Sequence, residues 1–429
     1  MQPIYKEIFQ SVLRCLLLIL LITACNPSVE EPTPSTTPTP QQTTIVPTKT
    51  TSPSSDNTEE LTLWIPPLLA ADTPAGSLLN SHITTLEEAF TLVDIQFRIK
   101  EDSGPSGILE TLSSASLVAP STVPDIVLLN PTNLNTAALK GLITPLDEFI
   151  SSPESPEWYE YAVDTAYVDA TFFGLPFICQ AEAFAYRKEA FEAEPKDWAD
   201  ILGSGETFLL PLGDPRAKFT LVQYSYLGGR FIDENGSPTI DVEILKDLFD
   251  FYASAKETGL LPLYSLQLQS AEESQLAFQQ GNSNAAVIPL EALLTGSMDG
   301  SLLLTPWPTR DKAGITPTQT LTWAVVQKED ERQELISQVL QWLMEPSFLG
   351  ELSLTLGWLP TTSAALEEWT ETDLSSAVLR LIRTAVPEPS AEEVATYSSL
   401  LQNAVQDVIN ELNTPEDAAL SIADQITIP

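Results

Sequence analysis

Between Leu61 and Leu129 the chain alternates strand, helix, strand, helix and strand patterns, and this alternation limits its fold more than any other feature. Leu61-Thr62-Leu63-Trp64-Ile65 reads as a strand. Ser81 to Leu92 carries Leu86, Ala89 and Phe90 at helical spacing. Val93 to Lys100 has a period of two, which puts Ile95, Phe97 and Ile99 on one side of a second strand. A further helix is expected over Ile108 to Leu117. After Pro124-Asp125, the run Ile126-Val127-Leu128-Leu129 is continuously apolar, as in strands covered on both faces. Such a series predicts a parallel sheet with right-handed crossovers. Ligands of such sheets sit beyond the carboxyl ends of the strands, here near Pro66-Pro67 and Asn130-Pro131-Thr132.

Later segments continue the pattern. Val242 to Thr258 is an amphipathic helix striped with Leu245, Leu248, Phe249 and Tyr252. Glu331 to Met344 and Ala391 to Leu412 are two more. No internal repeat is visible. The 429 residues exceed one comfortable core, so two lobes are expected.

The first residues differ in kind. Lys6 and Arg14 give a weakly basic start, and the short apolar run Leu13 to Ile22 is shorter than the roughly 20 residues a membrane-spanning helix needs and fits a signal-peptide core. Leu21-Ile22-Thr23-Ala24-Cys25 resembles the lipobox of bacterial lipoproteins. That resemblance implies removal of 1–24 and a diacylglycerol on the Cys25 thiol. Residues 25–59 are rich in Pro, Thr and Ser and poor in apolar residues, so they cannot offset their own chain entropy. They read as an extended spacer.

Two classes of function are disfavoured by composition. A net charge of −39 would repel nucleic-acid phosphates and anionic lipid. Of three cysteines, Cys15 leaves with the signal and Cys25 is committed to lipid. Cys179 therefore has no disulfide partner and reads as an inert buried thiol. His82 is the only histidine, which rules out a multi-histidine metal site. It also leaves no Ser-His-Asp arrangement with a second base, and the residue, next to an expected helix start, reads as exposed and polar. Glu87-Glu88 and Glu367-Glu368 adjoin in sequence and would point apart on helices. Gly228-Gly229 lacks the Lys and Ser/Thr of a phosphate loop. An enzyme is not expected, and neither is a cofactor or metal.

A set of short landmarks carries a stronger signal through its order. It begins with Trp64 in the first strand, Pro124-Asp125-Ile126-Val127 and Gly141-Leu142-Ile143-Thr144-Pro145-Leu146-Asp147. Phe173-Gly174-Leu175-Pro176-Phe177, Tyr186-Arg187-Lys188 and Pro195-Lys196-Asp197-Trp198 follow. Gly228-Gly229, Phe278-Gln279-Gln280-Gly281, Thr305-Pro306-Trp307-Pro308 and Gly357-Trp358-Leu359-Pro360 complete it. In this order the chain resembles the family 1 extracellular solute-binding proteins of ABC importers, the maltose-binding protein group.

That resemblance implies an α/β fold of the periplasmic-binding-protein-like type II, with two lobes, a hinge and a ligand cleft. The first lobe would hold 60–178 and 289–345, and the second 179–288 and 346–429. Crossings are expected near Ile178 to Ala185, near Ala286 to Glu291 and near Pro346. The implied ligand is a small polar solute, a sugar above all. The implied partners are ABC permease subunits and the membrane reached by the lipid anchor, with the chain itself a monomer outside the cytoplasm. A non-sugar solute such as an amino compound, polyamine or anion stays open, as does a surface adhesion or scaffold lipoprotein.

A sugar site needs aromatic faces for stacking and polar groups for the hydroxyl rim. Trp307, between prolines, Trp323, opening a strand, and Trp358, in a Gly-flanked turn, are candidates for the faces. Trp64 and Trp342 read as core. Matching to the family puts Gln180 where a hinge carboxylate stands, with Glu182 nearby. It puts Asp214 and Arg216 around a proline, and leaves Asn130 and Thr132 as first-lobe contacts. Tyr224, Tyr226 and Tyr397 are weaker candidates. The Trp expected after Ala286-Val287-Ile288 is replaced by Ala292, which makes maltodextrin itself a doubtful ligand.

Overall fold

In the computed structural model β1 (Glu59–Ile65) lies between β2 (Val93–Ile99) and β3 (Ile126–Leu129), parallel to both. The residues described are 59–426 other than 91–92, 148, 154–156, 297–300, 312, 327–331 and 370–372. The expected signal segment, the spacer up to residue 58 and Cys25 lie outside them.

Helices Pro74–Ala89 and Ile108–Val118 make the two crossovers. The first begins earlier than its apolar spacing suggests. Thr73 caps it, its hydroxyl accepting from the Gly76 N–H at 2.9 Å, and Pro74 sits where a missing N–H costs nothing. β2 is the outer strand of the sheet, so of its three alternating apolar residues only Ile95 is buried, and Ile99 is 43% exposed.

β4 (Ile143–Thr144) and a small hairpin of β5 (Tyr167–Val168) and β6 (Thr171–Phe172) follow. Then comes β7 (Leu175–Arg187), the longest strand. β8 (Phe208–Leu209), β9 (Ala285–Pro289), β10 (Leu302–Thr305), β11 (Thr316–Val326), β12 (Leu359–Pro360) and β13 (Ala385–Pro387) complete the set. The sheet runs β2-β1-β3-β11-β7-β9-β8, with β4 and β13 on β11 and with β10 and β12 on β7. β7 and β11 are antiparallel partners from Ala181 opposite Thr318 to Leu175 opposite Trp323, with a bulge between Leu321 and Thr322.

These two strands link separate cores. One core gathers Leu61, Leu63, Ile126, Phe177, Trp323 and Leu349. Another gathers Phe184, Phe208, Phe249, Tyr252, Trp307 and Tyr397. β7 enters the first through Leu175 and Phe177 and the second through Phe184 and Tyr186. The return follows β11, since Ile315 packs in the second core and Leu321 and Trp323 in the first.

This packing departs from the expected division of lobes. Trp307 and Ile315 belong with the second core, although 289–345 was assigned to the first lobe. Phe348, Leu349, Leu352 and Trp358 belong with the first core, beyond the crossing expected near Pro346. The chain reaches the second core again only after β12 pairs with β7 and β13 with β11. β7 and β11 each serve two cores, so their apolar pattern does not change where the chain crosses. Among the described residues, no helix is long and apolar enough to cross a membrane.

Candidate ligand cleft

Strand alternation sorts the groups on β7 and β11. Gln180 and Gln319 stand directly opposite and so share a face, as do Cys179 and Thr320 on the other. On the far face Thr320 Oγ1 donates to Cys179 Sγ at 3.3 Å. Burial pushes the Cys179 thiol up to about 12, against the pull of the Thr320 and Thr318 hydroxyls, so the thiolate does not form. On the near face, Glu182 follows Gln180 two residues along β7.

Beside the near face lies a cavity of about 460 Å3. Its first wall comes from the helix Pro131–Leu139 and the segment leading into β5. Asn130 caps the helix, its side-chain oxygen accepting from the Asn133 N–H at 2.9 Å. Thr132 and Asn135 project from the first turns into the lining, with Asp164 and the half-buried ring of Tyr167 beside them. The Tyr167 hydroxyl is hydrogen-bonded to Ser152 Oγ.

The second wall is built from charge. Asp214 is buried; its Oδ1 accepts from the Arg216 N–H at 2.9 Å and faces Arg216 Nε at 3.5 Å. Ala217 has φ of 50°, in the left-handed region. A residue with a Cβ adopts it at a cost of about 1–2 kcal/mol, and the bend leads straight into the helix Lys218–Tyr226. Both flanking cations, Arg216 and Lys218, line the cavity.

Lys218 is buried and donates to Glu182 Oε1 and, at 3.0 Å, to Glu388 Oε1. Glu388 stands between Pro387 and Pro389, its N–H donating to the Thr318 carbonyl at 3.0 Å. Its other oxygen lies 3.9 Å from Arg216 Nη1. Just beyond, Ser390 and Glu393 form a reciprocal cap on the helix Ala391–Ile409, whose first turn also meets the cavity.

The network carries three carboxylates against two cations. Burial pushes the Glu182 carboxyl up to about 7, Lys218 pulls it back and Glu388 pushes it further. For Lys218 burial acts downward, but Glu182 and Glu388 outweigh it and keep the ammonium charged. Arg216 is likewise raised, with Asp214 and Glu388 overcoming burial. The second oxygen of Glu182 is buried and has no hydrogen-bond partner among the described residues.

The structure distributes the candidate residues unevenly. Thr132 and Arg216 line the cavity. Gln180 lies on the cleft face next to Gln319, which does line it. Glu182 and Asp214 hold the cations from behind, and the side-chain oxygen of Asn130 is used as a helix cap.

The aromatic candidates require correction. Trp323 is fully buried against Phe177, with centroids 5.0 Å apart, and Trp307 is fully buried against Phe219 at 4.8 Å. Tyr224 is fully buried; its hydroxyl donates to the Arg230 carbonyl at 2.8 Å and accepts from the Asp241 N–H at 2.6 Å. Trp358 is 7% exposed in the first core, its indole N–H donating to Glu291 Oε2 at 3.0 Å. None belongs to the cavity lining, because each ring packs into one of the two cores instead. Tyr397 is buried too, its hydroxyl donating to the Phe231 carbonyl.

His82, expected at the surface, stacks on Phe348 with rings 3.9 Å apart. Its Nε2 lies 2.8 Å from the Trp342 carbonyl, an acceptor, so Nε2 carries the proton. Among the described residues, no group of three or more His, Cys, Asp or Glu could hold a metal ion.

Sequence reasoning missed Asn135, Asp164, Tyr167, Lys218, Gln319 and Glu388. Two signals were present: Arg216-Ala217-Lys218 places two of the chain's 20 cations side by side, and Glu388 is fixed between prolines.

No curated protein matches the chain in sequence. Solved structures share its fold. The sugar-binding protein MalE from the phytopathogen Xanthomonas citri is 15% identical, with a TM-score of 0.70 over 86% of this chain and 96% of that one. The cyclic alpha-maltosyl-1,6-maltose binding protein from Arthrobacter globiformis is 17% identical, with a TM-score of 0.70 over 86% and 98%. An ABC substrate-binding protein from Listeria monocytogenes in complex with cycloalternan is 16% identical, with a TM-score of 0.64 over 86% and 97%. The model of the bacterial extracellular solute-binding proteins matches residues 75–347, most of the chain, and the two-core fold with its cavity beside the linking strands agrees with it. The chain belongs to that family, whose members bind solutes rather than transform them.

Proposed function

We propose that this chain is the substrate-binding lipoprotein of an ABC importer, and that it captures a carbohydrate between its two lobes and hands it to permease subunits. The observation that carries this reading is the cavity lining. One wall offers an aromatic ring, Tyr167, beside Thr132 and Asn135; the other offers Arg216 and Glu388; Gln319 lies on a strand that joins the cores. An aromatic face with amides, hydroxyls and charged rim groups is the combination that C–H faces and hydroxyl edges of a sugar require. A volume of about 460 Å3 suits a small ligand. The similar folds named above include proteins described by the sugars they bind.

In this reading a sugar touching both walls favours the closed arrangement through its differential affinity for it, with β7 and β11 as the hinge. Cys25 would carry the lipid, and 25–59 would be the tether between membrane and binding domain. The test is a thermal-shift screen over mono- and oligosaccharides, amino acids, polyamines and anions. Saturating carbohydrate raises Tm by mass action. A shift from amino compounds, polyamines or anions alone would overturn the sugar reading. For the anchor, Cys25→Ala abolishes lipid labelling and releases the protein from cells; a variant that stays membrane-bound would refute it.

A further inference from the structure

We propose that the cleft selects its sugar by charge, admitting neutral and amino-bearing sugars and rejecting those that carry a carboxylate or phosphate, with Glu388 and Asp164 setting the preference from opposite walls. The inference rests on the carbohydrate reading above.

The cavity is bordered by two cations and by more carboxylates. Asp164 and Glu388 belong to its lining, and Glu182 and Asp214 stand directly behind Lys218 and Arg216. Lys218 already donates to two carboxylates, so a ligand anion that reached its third N–H would lie against Glu182 and Glu388. Arg216 is the accessible cation, its side chain 51% exposed. Its guanidinium nevertheless lies 3.5 Å from Asp214 and 3.9 Å from Glu388. An incoming carboxylate would meet Glu388 as it met Arg216.

Three helix N-termini also approach the cavity, those of Pro131–Leu139, Lys218–Tyr226 and Ala391–Ile409, each equivalent to roughly half a positive charge. The helix Ala391–Ile409 has Glu392 and Glu393 in its first turn, which offset its share. The helices Pro131–Leu139 and Lys218–Tyr226 have no acidic residue there, and their two half charges together fall short of the surplus of carboxylates, four against two cations. A hydroxyl suits this mixture, since it can donate to Glu388 or Asp164 while accepting from Arg216. An ammonium group gains from the same two carboxylates.

The test is calorimetric titration with glucose, glucosamine, glucuronate and glucose 6-phosphate, and with oligosaccharides ending in the same units. Because like charges brought together cost several kcal/mol, the acidic forms bind at least about 100-fold more weakly than the neutral one. In Glu388→Gln/Asp164→Asn the gap falls below about tenfold, within the range expected for removing such a repulsion. Asp164 is exposed at the rim, so Asp164→Asn alone, with a smaller narrowing, keeps the test open if the double variant misfolds. An acidic sugar that binds as tightly as its neutral counterpart would overturn charge selection and leave sugar binding standing. An undiminished gap in folded variants would also overturn it. If no sugar in the panel binds, the carbohydrate reading falls and this inference falls with it.

Discussion

The two walls of the cleft are built on opposite plans. Thr132, Asn135 and Tyr167 in the first wall are separate side chains on a helix end and a short hairpin, with the Tyr167 hydroxyl bonded to Ser152 and its ring against Phe172. In the second, Arg216, Lys218, Glu388, Glu182 and Asp214 hold one another. Changes in the first wall should therefore register in ligand affinity, and changes in the second in the stability of the protein itself.

The largest effect is expected outside both walls. Trp323→Ala empties a fully buried site and should cost about 3–5 kcal/mol of stability, measured by denaturant unfolding. A loss of sugar affinity without loss of stability would break the comparison, because it would give the cleft an aromatic surface beyond its two walls. Lys218→Met comes next. Removing one partner of a buried ion pair costs about 3–5 kcal/mol, and the exposure of Glu388 lowers the figure within that range. A stability unchanged within 1 kcal/mol, on the order of a surface pair, would mean the second wall is not knit together.

Tyr167→Ala should weaken sugar binding by about 1–3 kcal/mol, the scale of one large side chain, and should cost less stability than Trp323→Ala, because its ring is only partly buried against the first core. Equal titration curves for variant and parent would remove the one aromatic side chain among the described lining residues. The smallest effect is a slope with pH. The Glu182 carboxyl is raised from 4.5 to about 7 by burial and by its acidic neighbours Glu388 and Glu272, partly offset by Lys218. A raised folded value means its contribution is complete below the unfolded value and is lost as pH rises through about 7. Melting temperature measured from pH 5 to 8 should fall more in the parent than in Glu182→Gln. Parallel curves would show that Glu182 does not titrate in this range.

Much of the fold was legible because periods of two and 3.6 residues report local backbone geometry. Leu245, Leu248, Phe249 and Tyr252 are buried along the helix Val242–Glu257 as their spacing implies. Ile126 to Leu129 are buried on both faces, as a continuous apolar run implies. The site was less legible. Lys218 and Glu388 are separated by 170 residues, and no local pattern announces their meeting. Conspicuous aromatics misled in the other direction, since a ring large enough to stack on a sugar is equally suited to filling a core. Trp307 and Trp323 do the latter, while the plainer Tyr167 reaches the cavity. Arg216 was found because the family pattern centres on its proline; Lys218, two residues on, lies outside that pattern.

Cys179 has a consequence for life outside the cytoplasm. An unpaired cysteine there invites oxidation and cross-linking between molecules, both of which begin from the thiolate at an accessible surface. Enclosed in β7 with its proton held, this sulfur is a spectator to the surrounding redox chemistry. Reagents that capture thiols would find it only when the core packed on that face of β7 opens, so its slow modification would time that rare opening.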